Sequence, residues 1–255
     1  MKVDIISSIF NSEDYLKPFL INVCNQTIFK DCFLHIISPS LNEKEKKILD
    51  FFLNKYSTII VTDLQKKSSI YESWNIAIKN SSSEYITNMN CDDSKCPSSL
   101  ERHLLEIESQ DEIDLVFSDS FIATEKNVSF SDNRLKYAYK FPEEISIENL
   151  LKYNPPHQSP MWRRSLHDKF GFFDENMFSA SDAEFWLRCY GGGAKFKKIN
   201  EILNVYYLNP NGVSTSSDRA SERVKEENDN KTRYAKMFNY NGDINGKLED
   251  IIYKI

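Results

Sequence analysis

Apolar residues fall into short β-branched runs separated by amphipathic stretches, and that alternation sets the first expectations. Val3 to Ile9 is a run of the kind that forms a strand buried in a parallel sheet. It stops at Phe10-Asn11-Ser12-Glu13, where Ser12 is placed to cap a helix to about Asn25 with Tyr15, Leu16, Phe19, Leu20 and Val23 on one face. A second strand, Phe33 to Ile37, passes through Ser38-Pro39-Ser40 into a charged helix from about Asn42 to Lys55. Its Ile48, Leu49, Phe51 and Phe52 are expected to face inward. A third strand covers Thr58 to Thr62, a helix Ile70 to Lys79, and a fourth strand, Glu84 to Met89, leads to Asp92 and Asp93. A helix from Pro97 to Glu108 and a strand from Leu115 to Ser118 follow. Strand and helix alternating in this way build βαβ units, so the fold class is α/β with an open, mostly parallel sheet flanked by helices.

From about Ala123 to Pro142 the pattern weakens into loops and a hairpin, and a short helix, Ser146 to Tyr153, ends at Pro155-Pro156. A helix from Ser181 or Asp182 to about Tyr190 is stopped by Gly191-Gly192-Gly193, which lack the spacing and preceding strand of a dinucleotide loop. Phe196 to Ile199 and Ile202 to Leu208 read as two strands, and the tail from Ser217 as a charged, solvated helix. The chain therefore divides into one domain, residues 1–214, with a nucleotide-binding half (1–120) and a second half (121–214), followed by a helical tail (215–255).

Charge and cysteine content narrow the function. A formal charge of -6 leaves no basic excess to neutralise a nucleic-acid backbone. No apolar run is long enough for a membrane span, and MKVDIISSIF lacks the order of a signal peptide. The 5 cysteines (Cys24, Cys32, Cys91, Cys96, Cys189) are scattered without CxxC pairing, which speaks against a disulfide framework or a zinc site and for a reducing cytoplasm.

The chemistry concentrates at EYITNMNCDDSKCP. A strand of an open α/β sheet that ends on two acids delivers them to the crevice where such folds bind ligands. Asp92 and Asp93 are thus candidates for a hard divalent cation carrying a phosphorylated ligand. Turn and cap chemistry is the competing reading, because Ser98 and Glu101 form a capping-box pattern with Pro97 in the first turn.

Five segments taken together, SSIFNSEDYL, IYESWNIAI, YITNMNCDD, HQSPMWRRSLHDKFGFFDE and SDAEFWLR, resemble in order and spacing a family 2 glycosyltransferase with the Rossmann-like GT-A fold. The resemblance runs from about residue 2 to residue 214. It implies an inverting enzyme that moves a sugar from a nucleotide-sugar donor to a hydroxyl of a glycan or polyprenyl-linked saccharide, as in bacterial surface polysaccharide assembly. That work is done in the cytoplasm, up to the inner membrane face. Asp92 and Asp93 then fall on the DXD-type motif and hold Mn2+ or Mg2+ at the diphosphate, although Asn90 stands where the motif's first acid is usual. Asp182 falls on the catalytic base, with Glu184 and Arg188 as acceptor-side candidates against plain surface roles. The loop around Ser8, Phe10 and Asn11 resembles the cradle of the base. Lys67 or Lys66 approaches the diphosphate or is merely solvated, and Asn75 lies on a helix beside the donor. His157 is an acceptor-side residue, a third metal ligand or a structural histidine. Arg163 and Arg164 face an anionic acceptor or begin a helix. Ser38 and Pro39 replace the acid pair that reads uracil in many members, so a uridine donor is the default and guanosine or thymidine donors stay open.

Two other classes compete. A sugar nucleotidyltransferase needs a basic, Gly-rich loop after the first strand, which Phe10-Asn11-Ser12-Glu13 does not provide. A noncatalytic nucleotide-sugar-binding or scaffold subunit is suggested by the changed acids at Asn90 and Ser38 and opposed by intact Asp92, Asp93 and Asp182.

Overall fold

The computed structural model describes residues 1–157 and 159–255. Its first half runs β1 (Val3–Ser8), α1 (Glu13–Cys24), β2 (Cys32–Ser38), α2 (Glu43–Leu53), β3 (Ile59–Asp63), α3 (Ile70–Asn80), β4 (Tyr85–Asn88), β5 (Ser94–Lys95), α4 (Ser99–Glu108) and β6 (Ile113–Ala123). The second half adds β7 (Tyr137–Tyr139), α5 (Ile147–Tyr153), β8 (Met161–Arg163), α6 (Ser165–Phe170), α7 (Ser181–Gly191), β9 (Lys195–Tyr207), α8 (Ala220–Met237) and β10 (Ile252–Lys254). Among the described residues the strands form one sheet in the order β10-β7-β6-β8-β4-β1-β2-β3. β4, β1, β2 and β3 are parallel. The three-residue β8 runs antiparallel between β4 and β6 and joins the two halves.

Successive strand residues point to opposite faces, and the core divides accordingly. Ile5, Val116 and Met161 pack on one face with Leu16 and Phe19 of α1, Leu49 of α2 and Leu100 of α4. Ile6, Leu115 and Trp162 pack on the other with Trp74 of α3, Leu150 of α5, Phe185 of α7 and Tyr234 of α8. Helix α1, which leads from β1 to β2, and helix α3, which leads to β4 on the other side of β1 in the sheet, thus cover opposite faces. That reversal opens a crevice beyond the carboxyl ends of β1 and β4, the switch point of such sheets.

Several local expectations give way to tertiary partners. Ser12 precedes α1 without capping it: its hydroxyl accepts from the Phe10 N–H at 3.0 Å, and its own N–H donates to Glu45 at 2.7 Å. Glu45 also closes a capping box with Asn42 at the start of α2, so one buried carboxylate fixes two helix starts. The capping box expected at Ser98 does not form, since Ser98 makes no cap bond and its hydroxyl lies 3.3 Å from the Cys96 thiol. Phe51 faces outward, 69% exposed, while Leu49 and Phe52 carry the buried face. The two strands expected near residues 196 and 202 are one, β9, which pairs with β6 across register shifts. The C-terminal segment is more than a solvated helix, because Tyr234, Ala235 and Ile251 belong to the core and β10 pairs with β7. The five cysteines are free thiols. Among the described residues no helix is long and apolar enough to cross a membrane.

One buried charge anchors the parallel half. Asp4, in the middle of the sheet, accepts N–H bonds from Ser82 at 2.9 Å and Ser83 at 2.7 Å and lies 3.0 Å from His35 Nε2. Burial pushes its carboxyl up, but His35 and the two amides more than offset that and hold it below the usual range. Its contribution to stability is complete above the unfolded pKa of about 3.9 and is lost as pH falls through the lower folded value. Asp4→Ala strands two buried amides and His35, so denaturant unfolding at pH 7 should show a loss of about 3 kcal/mol. The gap to the natural protein should shrink below about pH 4.

Candidate active site

Beyond the ends of β1, β3 and β4 the chain leaves a cleft of about 1260 Å³. Ser8, Phe10 and Asn11 line it from the end of β1, where Asn11 takes a left-handed φ of 51° that asparagine tolerates better than most residues. Asp92 and Asp93 line it after β4, and Lys67 from the loop before α3. His157 and Asp182 bring in the second half of the chain, and residues 209–215 close the wall after β9.

The two acids after β4 are held by donors from a distant strand end. Asp93 accepts from the Tyr207 N–H at 2.9 Å and from the Asn90 amide at 3.3 Å. Asp92 accepts from the Asn209 amide at 2.8 Å. Burial, followed by the charge of neighbouring Asp92, pushes Asp93 well above the usual carboxylate range. Two adjacent carboxylates whose repulsion hinders full ionisation form an oxygen donor set that fits a hard divalent cation. Among the described residues no cluster of three His, Cys, Asp or Glu surrounds them. Magnesium is commonly held by one or two carboxylates plus phosphate oxygens, so a pair suffices when the ligand completes the shell.

Asp182 sits in the first turn of α7, and three donors converge on its carboxylate. Tyr71 OH lies 3.1 Å from one oxygen and 2.7 Å from the Ser179 carbonyl, between which its one proton is shared; the Asn154 amide reaches the other oxygen at 3.0 Å, and His157 Nδ1 lies 3.2 Å from that same oxygen. Burial alone raises its pKa, but His157, Asn154 and the Ala183 N–H win and hold it low. His157 mirrors this: burial pushes the imidazole down, and its bond to Asp182 with the charges of Asp182 and Asp93 brings it above the usual histidine value. The cleft thus has one end suited to a cation and phosphates, and another with a carboxylate paired to an imidazole.

Residues 4–170 match the model of glycosyl transferase family 2. The chain is a family 2 glycosyltransferase. It is 27% identical over 227 residues to an uncharacterized glycosyltransferase of Methanocaldococcus jannaschii, covering 88% of this chain and 75% of the relative. Against an uncharacterized glycosyltransferase of Bacillus subtilis it is 26% identical, over 88% of this chain and 80% of the other. Among solved structures, S. aureus TarS 1-349 in complex with UDP-GlcNAc matches with a TM-score of 0.69 at 18% identity, over 85% of this chain and 61% of that one. The chain spans 37% of a longer TarS structure. A mannosyltransferase from Pyrobaculum calidifontis in complex with GDP-Man and Mn2+ matches at 0.62 and 9% identity, over 95% of this chain and 76% of that one. These likenesses establish the GT-A fold.

Not every expected site residue of this glycosyltransferase reaches the cleft. Asn75 is 1% exposed, and its amide is committed to the Phe173 carbonyl at 2.8 Å and to Glu175 at 2.9 Å, so it ties α3 to the segment before α7. Glu184 and Arg188 form a 2.6 Å ion pair on α7, which Tyr234 OH joins at 2.6 Å. They brace α7 against α8 and contribute nothing to the cleft lining. Arg163 bonds the Ile113 carbonyl and Glu84, and Arg164 pairs with Asp168. Lys66 pairs with Glu72 at 2.7 Å while still lining the cleft.

Other site residues were not singled out from the sequence. Asn154 takes a left-handed φ of 46° just before Pro155-Pro156, and Asn209 precedes Pro210. An asparagine before proline at an element end was the available signal, but its partner lies far off in the chain. Asp63, at the end of β3, stands in register beside buried Ser38 and lines the cleft. Because Glu184 supports α7 from outside the cleft, Glu184→Gln should lower stability by about 1–3 kcal/mol in chemical denaturation. Its affinity for UDP with manganese, measured by calorimetry, should be unchanged.

Proposed function

We propose that this enzyme transfers a sugar, with inversion, from a nucleotide-sugar donor to a hydroxyl of a glycan or lipid-linked saccharide, using Mn2+ or Mg2+ held at Asp93 and Asp92. The observation that carries this reading is a single cleft lined by both the carboxylate pair and Asp182. A divalent cation bound with the donor supplies neutralisation of the charge that builds on the departing diphosphate. Asp93 and Asp92 hold that end of the donor in place. The acceptor hydroxyl gives up its proton at the Asp182 end, where a carboxylate is kept ionised.

At the base end, Phe10 offers an aromatic face that is 60% exposed, and Asp63 a carboxylate acceptor. A carboxylate accepts from the ring N–H of uracil or guanine and repels the ring lone pair of cytosine or adenine. Uridine, thymidine and guanosine diphosphate sugars are therefore favoured over cytidine and adenosine ones, and the two fold neighbours carry UDP-GlcNAc and GDP-Man. The cleft volume, 1260 Å³, exceeds the roughly 300–1,000 Å³ of a typical small-molecule site and leaves room for a saccharide acceptor. Free cysteines and nucleotide-sugar donors suit the cytoplasm, with lipid-linked acceptors met at the inner membrane face in polysaccharide assembly.

The test is a thermal-shift and turnover comparison with UDP, GDP and their sugars in the presence of manganese. Asp93→Ala should lose the metal-dependent rise in unfolding temperature. Asp182→Asn should keep that rise within the natural range and release nucleoside diphosphate at least about 100-fold more slowly. Natural binding and turnover in both variants would end the proposal.

A further inference from the structure

Two strands far apart in the sequence, β7 and β10, form the ribbon at one edge of the sheet. Residues 136–140 read KYAYK and residues 251–255 read IIYKI: three lysines among tyrosines and isoleucines, and no acid, in a chain of formal charge -6. Tyr137, Tyr253 and Ile255 are 50%, 50% and 53% exposed. Lys136 and Lys254 are exposed as well, and Lys140 lies over the Tyr253 ring, 5.8 Å from its centroid. Lysine interleaved with tyrosine and isoleucine matches the charged and apolar layers met at the face of an anionic bilayer. The free edge of β10 favours that partner over a further strand. Ile251 O and Ile255 N–H bond to β7, so the backbone groups of Ile252 and Lys254 point away from the sheet. Lysine on an edge strand hinders strand addition. Backbone groups without a strand partner keep the edge at headgroup depth, where water reaches them.

Strand order sets where this edge stands relative to the cleft. β8 is antiparallel to both β4 and β6, so β6 runs with β4; β7 is antiparallel to β6 and β10 to β7. The paired Tyr137 and Lys254 therefore lie at the end of the sheet that carries the cleft. The base-end residues follow β1 and β3, the acid pair follows β4, and His157 precedes β8, so the acceptor end of the cleft is the one nearer the ribbon. Four strand spacings, roughly 20 Å, separate β10 from β4. The acids that flank the ribbon in sequence, Glu143, Glu144, Glu249 and Asp250, come after β7 and before β10, at the opposite end of the sheet.

We infer that the β7–β10 ribbon docks on an anionic lipid bilayer, its lysines at the headgroup phosphates and Tyr137, Tyr253 and Ile255 in the interfacial layer, and so presents the acceptor end of the cleft to lipid-linked saccharides. The inference rests on the transfer reaction proposed above and names the surface from which its acceptor arrives. Each lysine near such a surface strengthens partitioning about five-fold, and the three together roughly 100-fold. Salt screens that attraction, so binding is strongest at low ionic strength.

Flotation with phosphatidylcholine vesicles, prepared with and without phosphatidylglycerol, tests this. The natural protein should float with the anionic vesicles at low salt, leave them at high salt, and bind neutral vesicles at least about 10-fold more weakly. Lys136→Gln, Lys140→Gln and Lys254→Gln made together should weaken binding to the anionic vesicles roughly 100-fold. Tyr253→Ser with Ile255→Ser should weaken it as well. A control that loses the same charge on the β2–β3 side of the sheet, Lys30→Gln with Lys47→Gln and Lys55→Gln, should bind as the natural protein does. All the altered side chains are exposed, and thermal melts followed by circular dichroism check that each variant folds. Absence of binding to anionic vesicles, natural binding by the triple ribbon variant, or an equal loss in the control overturns the inference. So does a dimer in sedimentation equilibrium without lipid that the ribbon changes dissociate, because a second copy would then cover the ribbon. Vesicle binding needs no nucleotide, so its failure leaves the transfer reaction standing. Failure of the natural protein to bind any nucleotide with manganese counts against the transfer reaction, while flotation still judges the ribbon.

Discussion

Two carboxylates placed side by side at the end of a buried strand repel each other, and much of the surrounding architecture answers that repulsion. β4 is buried along its whole length, so the chain leaving it has one direction in which to expose polar groups, the crevice beyond β1. Asp92 and Asp93 emerge there, and the donors nearest them come from Asn90 beside them and from Tyr207 and Asn209 at the far end of β9. These hydrogen bonds partly compensate the pair; burial still drives Asp93 towards its protonated form. A site with that electrostatic character favours a ligand that brings a positive ion with it.

The second acid is positioned by the opposite strategy. Asp182 is surrounded by donors and kept ionised, and those donors come from both halves of the chain: Tyr71 from α3, Asn154 and His157 from the segment after α5. The backbone leading into α7 is itself pinned, because Glu226 of α8 accepts the N–H groups of Phe178, Ser179 and Ala180. Asn230 of α8 reaches the Ala180 carbonyl at 3.0 Å, and Tyr234 meets Glu184. The charged C-terminal helix is therefore part of the scaffold that fixes Asp182. Outer partners of this kind hold a reacting group to within the tolerance its chemistry demands.

The parts of this arrangement legible in the sequence are those set by local pattern. β-branched runs mark β1, β2 and β3 because a strand buried on both faces must be apolar at successive positions. The acids after Met89 are legible because an apolar run that ends on Asp-Asp is conspicuous, and Asp182 because of the segment around it. Partner choice is a different matter. Ser12 and Ser98 occupy cap positions, yet other groups reach them first once the chain closes. Asn154 and Asn209 look like turn residues and become site residues only through contacts 28 and 117 positions away. Glu184 and Arg188 lie in a motif that points to the cleft, but helical periodicity turns them towards α8. β10 is three exposed residues, too short and too polar in setting to announce itself.

The central claim is that the acids after β4 hold a cation between the protein and a nucleoside diphosphate, within reach of the acid that opens α7. A crystal grown with manganese and UDP, with data collected at the manganese absorption edge, tests it most directly. The account predicts an anomalous peak bonded to Asp93 and to diphosphate oxygens, with the His157 and Asp182 side chains facing the same ligand across the cleft. A peak away from Asp93, or UDP bound outside the cleft, would contradict it.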